Sequence, residues 1–169
     1  MNILFYQWNA YNQYDTKTTF LALGHHITML TKPIKNPESD SEYIDWLGGM
    51  LKKERYDFVF SINYFPVIAH ACYDTNTIYV SWNCDSPLLA MYHQSVFYST
   101  NVIFTFDYSN YTEFKSYGVT NIYHLPLAVN TQRLRSQIKY DMPQKYPVSF
   151  VGRLYEKNSY DTIAPALPD

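Results

Sequence analysis

Five polar stretches hold the residues of this sequence that could do chemistry: Asn9–Tyr14, Asn63–Pro66, Asn83–Leu89, Asp107–Ser109 and Leu127–Asn130. Each follows a short apolar run, and together they are rich in Asn, Asp and Tyr, side chains that hydrogen-bond to and stack on polar small molecules. Asp85, within Ser81-Trp82-Asn83-Cys84-Asp85-Ser86-Pro87, is the candidate catalytic group. A carboxylate just past a strand can act as a general base or accept a hydrogen bond from a sugar hydroxyl. Asp85 or Ser86 could equally cap a helix opening at Pro87. Asn63-Tyr64-Phe65-Pro66 offers an amide and a ring to a ligand, or a turn into a helix. Asn9, Asn83 and Asp107 complete the candidate binding set. Cys84 reads as a small buried filler because no His is near it in sequence, His25 and His26 as surface residues, and Trp8 as core.

Several chemistries are excluded by what is missing. Gln7–Tyr14 contains no glycine, so the dinucleotide fingerprint after a first strand is absent. There is no phosphate-binding P-loop, no G-x-S-x-G nucleophile elbow and no acidic pair after the first strand. The five His, at positions 25, 26, 70, 93 and 124, lack metal-ligand spacing, so no metal site is expected. A net charge of −2 with scattered Lys and Arg argues against nucleic-acid binding. Aromatic residues make up 18% of the chain, which suits stacking on sugar rings but also the filling of half-buried positions. Two cysteines make no disulfide framework, and no apolar run nears the roughly 18 residues of a membrane helix. The N-terminus lacks the features of a signal peptide. A cytoplasmic protein with no transmembrane segment is expected.

The elements that must position these residues alternate. Strand-like runs occur at Ile3–Trp8, His26–Leu30, Phe58–Ile62, Ile78–Trp82, Val102–Phe106 and Ile122–Leu125. Helical patterns lie between them. Asp15–Leu23 carries Phe20, Leu21 and Leu23 on one stripe and stops at Gly24. A capping box from Ser39 to Glu42 opens the next helix, with Tyr43, Ile44, Leu47, Met50 and Leu51 on one face. Further helices are expected at Pro66–Tyr73, Pro87–Phe97 and Ser109–Tyr117, the last capped by Ser109 and ended by Gly118. Strands separated by helices imply right-handed crossovers, hence an α/β Rossmann-like three-layer fold with a parallel sheet of about six strands. In such sheets ligands bind beyond the carboxyl ends of the strands, where the five polar loops would gather.

The last forty or so residues read differently. A polar linker, 131–147, leads to an apolar strand at Val148–Val151, the first strand of a truncated second domain spanning 148–169. Residues 1–130 form the N-terminal domain in this reading.

From Phe106 onward the order of motifs resembles a known family. Phe106-Asp107-Tyr108-Ser109, Glu113-Phe114-Lys115-Ser116-Tyr117-Gly118-Val119 and Leu125-Pro126-Leu127-Ala128-Val129-Asn130 are similar to the closing segment of the N-terminal domain of GT-B glycosyltransferases, especially the family 4-like group. Phe150-Val151-Gly152-Arg153-Leu154, followed by Lys157, resembles the opening of their C-terminal domain. Phe60–Pro66 and Asp85-Ser86-Pro87 look like an N-terminal domain of bacterial glycosyltransferase-like proteins related to spore maturation proteins. Leu127-Ala128 replaces the family's usual Asn-Gly, and its glycine-rich first loop is absent.

The resemblance implies metal-independent transfer of a sugar from a nucleotide-sugar donor, a substrate rather than a tightly bound cofactor, to a glycan or other acceptor. Residues 1–130 would hold the acceptor. Gly152 and Arg153 would lie near the donor diphosphate, a close backbone approach and a guanidinium matched to phosphate. The chain alone would then be inactive. The alternative is a non-catalytic carbohydrate- or protein-binding module on the same fold.

Overall fold

In a computed structural model of the protein, residues 1–138, 143 and 145–152 are described. The chain divides into two units, 1–130 and 131–169.

The first unit is built on six strands: β1 (Asn2–Tyr6), β2 (His26–Leu30), β3 (Phe58–Ile62), β4 (Tyr79–Asn83), β5 (Asn101–Thr105) and β6 (Ile122–His124). All six expected strands are present, with ends shifted by a residue or two. They form one sheet in the order β2-β1-β3-β4-β5-β6, and every pairing is parallel. Between them lie α1 (Gln13–Ala22), α2 (Ser41–Lys53), α3 (Pro66–Asp74) and α4 (Tyr108–Ser116).

The side-chain alternation of a strand splits the core into two layers. Leu4, Tyr6, Val59, Tyr79 and Ile103 pack with Tyr43, Leu47 and Leu51 of α2, Val67 and Ile68 of α3, and Phe114 of α4. Ile3, Phe5, Phe60 and Ile62 face the opposite way, with Phe20 of α1 against them. The Phe20 ring meets Phe60 edge-on at 5.2 Å and Phe5 at 6.4 Å. Helices therefore cover both faces, as an α/β three-layer fold requires.

Phe20 alone anchors the expected α1 stripe, because Leu21 and Leu23 are exposed and α1 buries no residue completely. The caps also differ from expectation. Asp40, not Ser39, caps α2: its Oδ1 accepts from the Tyr43 N–H and its Oδ2 from the Lys35 N–H, both at 3.0 Å. Ser39 Oγ is taken by the Asn36 amide, and Glu42 pairs with Lys35 at 2.8 Å. Two carboxylate oxygens join helix and preceding loop, which one hydroxyl cannot do. Asp107 likewise caps α4, accepting from the Ser109 and Asn110 N–H groups. The helix expected over Pro87–Phe97 is replaced by two 3₁₀ turns, Leu89–Tyr92 and Gln94–Phe97. Extended His93 separates them, its Nδ1 accepting from the Ser95 N–H at 3.1 Å.

In the second unit a short helix, α5 (Thr131–Arg135), occupies the start of the expected linker. The strand expected at Val148–Val151 is not formed, and its apolar residues are exposed. A strand is stabilised by the ladder it joins, and no described residue of this unit supplies one. Leu154 and Lys157 of the expected motif lie outside the described residues.

Candidate functional site

The sheet order fixes where a site can form. From β1 the chain crosses through α1 to β2 on one side, and from β3 through α3 to β4 on the other. Adjacent β1 and β3 thus send their following loops to opposite faces, the arrangement that opens a crevice at the carboxyl ends of a parallel sheet. A cleft of about 410 Å³ lies there, within the ~300–1,000 Å³ range of small-molecule sites.

One wall is the loop after β1, which contributes Trp8, Asn9, Tyr11 and Asn12. The floor and far wall come from Ile62 and Asn63 at the end of β3, and from Trp82, Cys84 and Asp85 at the end of β4. Leu127 and Ala128, after β6, close the rim. The return of this segment toward α1 is held by Asn130, whose Nδ2 donates to Asp15 Oδ1 at 3.1 Å.

Asn63 organises the centre. Its φ is +64°, a left-handed conformation that Asn tolerates better than most residues, and it is 4% exposed. That backbone turn lets its amide bridge to the next strand end. Oδ1 accepts from the Cys84 N–H at 2.9 Å, and Nδ2 donates to Asp85 Oδ2 at 2.6 Å. Asp85 Oδ1 receives no hydrogen bond from the described residues, which leaves it for a ligand.

Trp8 is half-buried and lines the cleft rather than lying wholly in the core. Its Nε1 donates to the Ile62 carbonyl at 2.7 Å, and its ring meets Phe65 edge-on at 6.0 Å. The indole is therefore held as a fixed wall. Trp82 Nε1 is buried and finds no partner among the described residues. The Cys84 sulfur accepts from Asn12 Nδ2 at 3.1 Å. Burial pushes its thiol pKa up, the Asn12 hydrogen bond opposes this, and the Asp85 charge adds to the rise. A protonated thiol is a poor nucleophile, but Cys84 is half-buried and lines the cleft rather than being the buried filler expected from the sequence.

Of the six candidates in this unit, the cleft brings together Asn9, Asn63 and Asp85. The other three lie elsewhere. Tyr64 is a core residue, 1% exposed, with its hydroxyl 2.8 Å from Ser95 Oγ. Burial raises the Tyr64 pKa far above the ordinary phenol value, so the hydroxyl stays protonated. Asn83 points to the face covered by α2 and α3, where Nδ2 lies 3.1 Å from Met91 Sδ. Asp107 caps α4 and accepts from Ser86 Oγ at 2.5 Å, just outside the cleft. The Ser86 hydrogen bond and the Ser109 N–H hold its carboxyl below the usual range. Gly152 is exposed in the second unit, and Arg153 lies outside the described residues.

Trp8 and Trp82 are not among the sequence candidates, and Tyr11 and Asn12 are named only as part of the Asn9–Tyr14 loop. Parity along β4 could have found Trp82, since it must face away from buried Ser81 and Asn83.

A second groove, of about 510 Å³, lies at the opposite edge, between the end of α2 and the α3–β4 turn. It is larger, but its acidic groups are engaged: Asp57 accepts from the Asn2 N–H at 2.6 Å, and Glu54 from the Tyr56 hydroxyl. It also lies at the amino ends of the strands, where a parallel sheet offers no crevice. The cleft at the carboxyl ends is the better candidate.

Among the described residues no group of His, Cys, Asp and Glu could hold a metal ion, and no helix is long and apolar enough to cross a membrane. The chain matches no family model, no curated protein and no solved structure.

Proposed function

We propose that residues 1–130 are the acceptor-binding half of a glycosyltransferase, and that the cleft receives a sugar of the acceptor. The observation that carries this reading is the composition of the cleft. Two indole rings and an exposed tyrosine stand beside the amides of Asn9, Asn12 and Asn63 and the carboxylate of Asp85. Sugars present apolar C–H faces to aromatic rings and hydroxyls to amides and carboxylates, so this mixture suits a saccharide better than an apolar or highly charged ligand.

In this reading Asp85 Oδ1 accepts a hydrogen bond from an acceptor hydroxyl. During transfer it takes the proton as that oxygen attacks the anomeric carbon of the donor and the nucleoside diphosphate leaves. The donor belongs with Gly152 and Arg153, by the motif resemblance alone. A cytoplasmic setting fits two free thiols.

The test is a printed array of mono- to hexasaccharides probed with the whole chain, followed by titration of the hit. Saturable binding that weakens in the Asp85→Asn variant supports the reading. An array without a hit overturns it.

A further inference from the structure

We propose that the cleft is the first of two contiguous subsites and that its ligand is an oligosaccharide, whose next ring lies on Tyr108 at the start of α4 and His124 at the end of β6. This rests on the cleft being a saccharide site. Ser86 follows Asp85 directly, and its hydroxyl joins the first turn of α4: Oγ donates to Asp107 Oδ2 at 2.5 Å and accepts from Asn110 Nδ2 at 3.0 Å. The cleft carboxylate and the start of α4 are thus tied through one loop. Asp107 is consumed by this network, since Oδ1 takes the Ser109 N–H at 2.8 Å and Oδ2 takes Ser86. It is scaffold rather than ligand-binding surface.

What the scaffold presents is Tyr108. It is 63% exposed, and no described residue hydrogen-bonds its hydroxyl. Its ring stands edge-on to His124, with centroids 5.3 Å apart and planes at 85°, and it lies 5.7 Å from the Tyr111 ring. His124 is itself anchored, with Nε2 3.1 Å from the Phe106 carbonyl. A large ring left in water but fixed by neighbours adds little to the core and loses little freedom on binding. Its π-face suits the C–H row of a second sugar, and its hydroxyl and His124 Nδ1 suit that sugar's hydroxyls.

The experiment titrates the array hit and its single-sugar truncation against the whole chain, and reads the ratio of the two dissociation constants. The longer ligand is expected to bind about tenfold more tightly. Tyr108→Ala should bring the ratio close to one, and His124→Ala should lower it severalfold; both positions are exposed, and far-UV circular dichroism checks that each variant is folded. A ratio unchanged in both variants, or a monosaccharide binding as tightly as its oligomers, overturns the second subsite. A hit that weakens in Asp85→Asn but ignores Tyr108→Ala keeps the cleft and removes only this proposal. An array without a saccharide hit removes both.

Discussion

Asn63 and Asp85, at the ends of neighbouring strands β3 and β4, are joined by a 2.6 Å hydrogen bond from Nδ2 to Oδ2. The same Asn63 side chain takes the Cys84 N–H through Oδ1. One amide thus sets both the course of the loop after β4 and the direction of its carboxylate. It can do so because the Asn63 backbone lies in the left-handed region.

Two replacements separate these contributions. Asn63→Ala loses both hydrogen bonds and puts a Cβ-bearing residue without a local hydrogen bond at positive φ, so urea unfolding should show about 2–3 kcal/mol of destabilisation. Asn63→Gly loses the bonds but not the backbone fit, and should retain about 1 kcal/mol relative to the alanine variant. Equal losses in the two variants would show that the left-handed backbone is not what makes Asn63 hard to replace.

Asp85→Asn removes the free carboxylate oxygen while leaving a side chain of the same shape. A hydrogen bond to a charged group is worth about 1.5–3 kcal/mol, so saccharide affinity should fall by at least about tenfold. Unfolding stability should fall by no more than about 1 kcal/mol, because the amide oxygen of the variant still accepts from Asn63 Nδ2, as a neutral rather than a charged partner. A variant that binds as tightly as the parent would remove Asp85 from the site.

Tyr64 belongs to the core network rather than to the ligand. Its hydroxyl meets Ser95 Oγ, and the Asn101 amide donates to it at 3.4 Å. Tyr64→Phe removes both contacts, while Ser95 Oγ keeps His93 Nδ1 and the Asn101 amide keeps the Ser95 carbonyl, so the change should cost about 0.5–1.5 kcal/mol in chemical denaturation. Saccharide titration of the same variant should match the parent. A selective loss of affinity with full stability would return Tyr64 to the cleft.

Burial, with the neighbouring His93, lowers the His70 pKa; Asp74 opposes this. The two imidazoles lie 5.5 Å apart, and His70 Nδ1 is 2.9 Å from the Tyr98 hydroxyl. The unfolded chain then binds a proton at this site more readily than the folded one, so stability rises with pH there. The contribution is complete above the unfolded value of about 6.5 and is lost as pH falls through the folded value. Denaturation midpoints at about pH 8, 6.5 and 5 should decline in that order, and His70→Gln should flatten the decline. Parallel curves for parent and variant would assign the pH dependence to other groups.

Much of this molecule is readable along the chain. Six apolar runs mark six strands, the helical stretches between them demand parallel crossovers, and that connectivity brings the five polar loops to the carboxyl ends of the sheet. Local hydrogen-bonding choices were harder to read. Ser39 and Ser109 look like caps in isolation, but Asp40 and Asp107 cap because each also bonds to another part of the fold.

Only the tertiary structure decided which side chains face the cleft. Asn63 and Tyr64 are adjacent, as are Trp82 and Asn83, and in each pair one lines the cleft while the other is buried on the face covered by α2 and α3. Alternation with a period of two along β4 parts Trp82 from Asn83, whereas Asn63 and Tyr64 lie past the end of β3 and are parted by the left-handed turn at Asn63. Which of them meets the ligand depends on which face α2 and α3 cover, and that is set by the handedness of crossovers linking residues far apart in the chain.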